Sequence, residues 1–294
     1  MKAYRYNEEL SLEAVPLELK PEREDDIVVK TRLAYLGPED CPTRSADNPI
    51  AEGYFPGKAF VGEVEQTGHA ATHLLGKTVL VGDHQPCGEC PPCRRAQSGA
   101  CGGSFKLGDN VGALATHGRA SSRWAIALED GLEIDAPETP AVAGALALAY
   151  SLFIKAAVTP GDNVKIVGDG TIGDMANQLR THFAVREPKN SASPVRILET
   201  TSSFTGRQKS IALAAPGAKL SWLHRNAAKA PDVSTLGPMS ASLAWVTTSH
   251  PDLLTEVLAL VVRQEIDLSS AVDVVPLETA LENWQPDRGR VVRL

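Results

Sequence analysis

Four cysteines crowd into fifteen residues: Cys87, Cys90, Cys93 and Cys101, spaced C-x2-C-x2-C-x7-C. No other feature limits the fold so sharply. Thiolates two residues apart on a tight loop converge on one tetrahedral ion, and Zn2+ takes four such ligands where its role is structural. Four thiolates leave no open position for water, so a zinc held here stabilises a lobe and does no substrate chemistry. Free thiols and an iron–sulfur cluster are the competing readings; the loop and its surroundings favour zinc. Only one further cysteine, Cys41, exists. Five cysteines with four clustered suit a cytoplasmic metal site better than a disulfide framework.

The rest of the chain divides by texture. Its 294 residues suit two domains, each able to bury a core. Up to about residue 138 the pattern is strands and turns, with β-branched or alternating runs at 27–31, 60–65, 77–82 and 122–128. A helix is expected over 139–157, followed by a turn, Thr159-Pro160-Gly161-Asp162, and a short apolar strand, 163–167. Helical and strand patterns then alternate: strand 195–199, helix 206–215, strands 219–224 and 243–247, helix 252–264. That order predicts an α/β unit with a mostly parallel sheet. Strand character returns from Asp273 to Leu294, in a tail expected to pack back on the first unit.

A net charge of −7 and a pI near 5.6 argue against nucleic acid or an anionic membrane as main partner. The most apolar window, 141–154, is shorter than the roughly 20 residues of a membrane span, and reads as a buried helix. A cytoplasmic protein is expected.

Gly168-Asp169-Gly170-Thr171-Ile172-Gly173 spells G-x-G-x-x-G directly after the strand 163–167 and opens a helical stretch. Gly168 permits the tight turn, Gly170 lets the backbone approach a pyrophosphate, and Gly173 lets helix and strand pack closely. The phosphates would sit at the positive end of the helix.

The cysteine lobe, the segment Gly57-Lys58-Ala59-Phe60-Val61-Gly62-Glu63-Val64, the strand Lys77 to Val81 before the cysteines and the turn into the glycine motif together resemble the medium-chain dehydrogenase/reductase family. The likeness is to its zinc-containing alcohol dehydrogenases. It implies an α/β protein: a β-rich, GroES-like catalytic domain over residues 1–138 and 268–294, and a Rossmann-type nucleotide domain over 139–267. It also implies one structural zinc on Cys87, Cys90, Cys93 and Cys101, a nicotinamide cofactor on Gly168, Gly170 and Gly173, and a homodimer joined at the edge strand 241–247. Another protein subunit is the alternative partner.

Two departures from the family stand out. Its catalytic zinc is held by a Cys, the His of Gly-His-Glu, and a Cys or carboxylate near the domain boundary; these positions fall on Leu36, Lys58 and Gly144, with Ala59 at the following Glu position. A Lys ammonium repels a cation, so the catalytic zinc is expected to be absent. Lys58 has two readings, a plug paired with Glu39 or Asp40, and a cation that polarises a carbonyl. A register in which His69, His73 or His84 joins Cys41 on a metal is the alternative.

The second departure is a missing piece. Phe183-Ala184-Val185 is a strand of minimal length, Glu187 is a weak candidate for the ribose-gripping acid, and the polar link 188–194 runs directly into the next strand. Seven residues cannot hold the crossover helix and third strand of a full dinucleotide fold. The nucleotide domain is therefore expected to be truncated, with NAD(P) binding weak. The combined expectation is a zinc-binding protein without dehydrogenase activity, serving a structural or binding role. A zinc-independent NAD(P)H-dependent oxidoreductase is the alternative.

Overall fold

The computed structural model describes residues 1–42, 44–45, 48–95, 97–103, 105–106, 111–128, 136–188, 195–224, 231–247 and 252–294, with the backbone alone at 44–45, 48–49 and 105–106. It is a mixed α/β structure with a β-rich part and a parallel-sheet part, as the sequence pattern predicts.

The β-rich part is organised on one long strand, Asp26–Leu36. Ile27, Val28, Val29 and Thr31 give it β-branched character, and its burial is nearly continuous because both faces are covered. One edge pairs throughout with Ala59–Thr67, which pairs in turn with Thr78–Gly82 and then Ala125–Ala127. The other edge is shared: His117–Ser121 takes its first half, and Gly289–Arg293 takes its second. Val272–Pro276 closes that side in parallel with Gly289–Arg293. The tail thus returns to the first sheet, as expected. The strand read over 122–128 is corrected: Ser122–Trp124 is a 3-10 turn, capped by the Ser121 side chain, and only Ala125–Ala127 is strand. The neighbouring strand His117–Ser121 was not foreseen, because Gly118 and Arg119 interrupt its apolar alternation.

Four short strands form the second sheet in strict sequence order and all parallel: Val164–Val167, Arg196–Glu199, Lys219–Leu223 and Ser242–Val246. The Ala-rich run packs against it. It begins as a π-helical turn at Val142–Leu146 and continues as the α-helix Ala147–Lys155. Residues 141–153 are buried on every side, the mark of a helix with no solvent face. One core joins the two parts, running from Tyr35, Ala59, Val61 and Leu80 through this helix to Ile166, Leu198 and Leu223.

The expected strand Phe183-Ala184-Val185 is not one. It is the C-terminal turn of the helix Gly170–His182: Val185 N–H reaches back to Arg180 O, Ala184 N–H to Thr181 O, and Ala184 takes a left-handed φ of 49°. Phe183 is drawn inward, stacked on Phe153 with centroids 4.4 Å apart. Burial of that ring outcompetes strand pairing. All that pairs on this flank of Val164–Val167 is an isolated parallel bridge, Asn163 to Arg186. The link residues 189–194 lie outside the described residues. Among the described residues, no helix is long and apolar enough to cross a membrane.

Candidate functional site

The cysteine lobe assembles from local pieces. A two-residue ladder, His84–Gln85 with Phe105–Lys106, closes its base. Cys90 caps a single helical turn, Pro91–Arg94, and a 3-10 turn, Ser98–Ala100, delivers Cys101. All four sulfurs lie within 4.8 Å of one another. Cys90 and Cys93 stand 3.4 Å apart, Cys87 and Cys101 3.5 Å, and Cys87 and Cys93 4.0 Å. A tetrahedral ion with legs of about 2.3 Å requires edges of about 3.8 Å, so the four sulfurs lie near the spacing that Zn2+ asks for and the donor set suits it. The backbone N–H of Cys90 donates to Cys87 Sγ, and that of Cys87 to Cys101 Sγ, both at 3.4 Å. N–H groups of Glu89 and Cys90 hold the Cys87 thiol down to about 6, whereas desolvation and the neighbouring Cys90 push Cys93 up to about 12. Among the described residues this is the one group of three or more His, Cys, Asp or Glu placed to share an ion. The alternative register fails there: His84 Nε2 bonds Ser98 O at 3.1 Å, and Cys41 Sγ faces Trp284 O at 4.0 Å.

The second region is where the boundary of the two parts packs on the long strand. Leu36 is fully buried in the core of the first sheet. Gly144 lies in the π-helical turn, and a Cβ there would run into the ring of Tyr35; one at Gly289 would meet the same ring from the other side. Tyr35 therefore fills the space between the domain boundary and the tail.

Asp40, four residues past Leu36, is completely buried. Tyr54 Oη donates to its Oδ1 at 2.6 Å, Gly37 N–H to its Oδ2 at 2.8 Å, and Tyr6 Oη to its main-chain carbonyl at 2.7 Å. Burial raises its carboxyl pKa, while the Lys58 charge, Tyr54 and Gly37 pull it down. The Lys58 ammonium stands 5.5 Å from the centre of the Tyr54 ring. Lys58 thus belongs to a compact Asp40–Tyr54–Lys58 group. Tyr6 and Tyr54 escaped sequence reasoning; the single available signal was that an acid buried beside Gly37 needs donors.

The third region is the glycine turn. Gly168 (φ 120°) and Gly170 (φ 79°) have the left-handed backbone the motif calls for. Gly173 packs on the turn, a Cβ there meeting Gly168 O at 2.6 Å. However, the tail lies on the mouth of this helix. Thr171 N–H donates to Asp287 O at 3.1 Å, and Gly170 touches the same carbonyl. The Thr171 hydroxyl donates to Ala271 O at 2.7 Å and accepts from Gly289 N–H at 2.6 Å. Three acids, Asp169, Asp174 and Asp287, surround the mouth; burial and the other two raise Asp174, which Arg288 opposes.

Glu187 does not reach this turn. Its carboxylate pairs with Lys165 at 3.0 Å, near the start of the strand and three residues short of Gly168, about 10 Å along an extended chain. The acid at the carboxyl end of the sheet is instead Glu199, fully buried and occupied with the N–H groups of Thr201 (2.7 Å) and Ser202 (3.0 Å).

Residues 23–130 match the alcohol dehydrogenase GroES-like domain. The chain is 29% identical to scyllo-inosose 3-dehydrogenase of Thermotoga maritima over 206 residues, 62% of this chain and 51% of that protein. It is 30% identical over 137 residues to an uncharacterized zinc-type alcohol dehydrogenase-like protein of Escherichia coli, covering 45% of this chain and 38% of the relative. The matches thus span about half of one relative's length and well under half of the other's. In fold it is similar to an alcohol dehydrogenase from Thermus sp. ATN1, with a TM-score of 0.83 at 20% identity, covering 100% of this chain and 99% of that one. Residues 23–130 thus carry an alcohol dehydrogenase GroES-like domain, and with the parallel Rossmann-like sheet and the four-cysteine lobe the chain is similar to zinc-type alcohol dehydrogenase-like proteins.

Proposed function

We propose that this chain is an alcohol-dehydrogenase-like protein that binds one structural zinc through Cys87, Cys90, Cys93 and Cys101, has lost dehydrogenase activity, and serves a structural or binding role. One observation carries the reading. The positions that hold a catalytic metal in the resembling enzymes carry Leu36, Lys58 and Gly144, and Tyr35 and the Asp40–Tyr54–Lys58 group fill the space around them. A buried aliphatic chain, an ammonium and a glycine supply no donor for a Lewis acid. Hydride transfer to or from an alcohol needs an electrophile on the substrate oxygen.

The glycine turn supports the same reading. A pyrophosphate would draw on free N–H groups at the helix start; Thr171 N–H is engaged by Asp287, and three carboxylates disfavour an anion. The adenosine flank is cut to the bridge at Arg186. Loss of those contacts predicts millimolar rather than micromolar affinity, a weakening of about a thousandfold. Calorimetric titration with NADH and NADPH tests this; a dissociation constant below about 50 µM for either cofactor sinks the proposal.

The second reading is a zinc-independent NAD(P)H-dependent oxidoreductase, favoured by the left-handed glycines of an intact turn and by Lys58 as a cation beside Tyr54. NADPH-dependent reduction of a quinone or enone, abolished by Lys58→Ala, would establish it.

A homodimer through the strand Ser242–Val246 belongs to the proposal. That strand ends the four-stranded sheet and exposes 40% of Trp245, the kind of edge that another strand covers. Light scattering at micromolar concentration is expected to give twice the chain mass. A monomer counts against it.

A further inference from the structure

The cysteine lobe is gripped from outside by Ser121–Trp124, and the grip falls on the residues that present the first thiolate. Ser121 N–H donates to Gln85 Oε1 at 2.8 Å. Trp124 Nε1–H donates to Pro86 O at 2.8 Å, and Arg123 Nη1 donates to Cys87 O at 3.2 Å. Three consecutive residues entering the lobe are therefore each held by this one segment.

Arg123 lies directly on the turn. A Cβ at Gly88 would collide with its Nη1, and Gly88 takes a left-handed φ of 76°, so the turn offers the guanidinium an unobstructed face. Cys87 is the hub of the sulfur cluster, in contact with Cys101 and Cys93 and accepting the Cys90 N–H. Four thiolates around a divalent ion carry two net negative charges. Arg123 brings a positive charge, fixed by a hydrogen bond, against the peptide that carries Cys87. Its neighbour Arg119 pairs with Glu22 instead.

We propose that Arg123 and Trp124 are positioning residues of the metal lobe: Trp124 fixes the backbone that presents Cys87, and Arg123 both anchors that backbone and offsets the charge of the four-thiolate complex. The inference rests on the reading that the lobe binds zinc. Groups that orient metal ligands from behind typically change affinity by about 10–100-fold when removed.

The test uses the full chain loaded with zinc and titrated against a chromophoric chelator. Compared with the unaltered chain are Arg123→Ala, Arg123→Lys, Trp124→Phe, which keeps an aromatic ring of smaller size and removes the N–H, and Arg119→Ala as control. Arg123→Ala and Trp124→Phe are expected to weaken zinc retention about 10–100-fold. Arg123→Lys should recover most of the loss at low salt and less at high salt, while Arg119→Ala stays unchanged. With cobalt in place of zinc, the thiolate-to-metal charge-transfer bands of Trp124→Phe should shift, which a general loss of stability would not cause. Retention and cobalt bands equal to those of the unaltered chain in both Arg123→Ala and Trp124→Phe would overturn the proposal. Failure of the unaltered chain to hold zinc would refute the zinc reading itself.

Discussion

The cysteine lobe and the region around Tyr35 and Asp40 differ in what they gather. In the lobe every donor for a tetrahedral ion is present, and local turns bring the four sulfurs within 4.8 Å. In the second region, where the resemblance would place a catalytic metal, stand Leu36, Lys58 and Gly144, and nearby a buried carboxylate, two tyrosines and a lysine satisfy one another. The difference is instructive because the two regions share one sheet and one core. A metal lobe survives as a self-contained stabilising unit, since its ligands come from fifteen consecutive residues. A catalytic site drawn from three distant segments needs all three at once, and the proposed loss of activity rests on the absence of a donor at Leu36, Lys58 and Gly144.

The largest effect should come from the lobe. Cys90→Ser removes one of four thiolates, and structural zinc contributes about 10 kcal/mol or more to the fold of small zinc domains. Zinc content should fall from one per chain, with a lowered thermal midpoint. Two zincs per unaltered chain would break the contrast, because a second site outside the lobe would then exist.

A smaller effect is expected from Lys58→Ala, about 3–5 kcal/mol at most, since it strips a compensating charge from a buried acid. Its pH dependence carries the sign. Burial raises the Asp40 carboxyl above its unfolded value, so the folded state loses stability as pH rises through that interval, and Lys58 moderates the loss. Without Lys58 the folded value climbs further, so the penalty should be greatest at neutral pH and shrink as pH falls toward 4 and below. Urea unfolding at several pH values measures it; a penalty independent of pH would remove Lys58 from the Asp40 group.

The mildest of the three is Gly144→Ala. Its Cβ enters space held by Tyr35, and overpacking of this kind typically costs about 1–3 kcal/mol. Gly144→Ala combined with Tyr35→Phe should cost nearly as much as Gly144→Ala alone, because the ring remains. Relief by Tyr35→Leu would locate the conflict at the ring.

Much of the molecule could be read directly from residue order. The alternation after Pro137 indicated four parallel strands because each strand–helix unit is a local pattern, and hydrophobic periodicity reports it. The expected strand at Phe183 failed for a reason no local pattern contains: the Phe153 ring, thirty residues earlier, offered a better place for that side chain. His117–Ser121 was hidden differently: Gly118 and Arg119 break its local alternation, and only pairing with Asp26–Lys30 makes it a strand.

For the sites the division is equally physical. Sequence alone determined the four-sulfur cluster and the shape of the glycine turn, because bond geometry over two to seven intervening residues leaves little freedom in either. Only the tertiary structure decided that Asp287 lies on the Thr171 N–H, that Tyr35 fills the space between Gly144 and Gly289, and that Arg123 stands behind Cys87. Each of these joins residues from 36 to more than 100 positions apart. Such contacts depend on how whole sheets pack, and side-chain volume and hydrogen-bond demand settle them only once the chain has closed on itself.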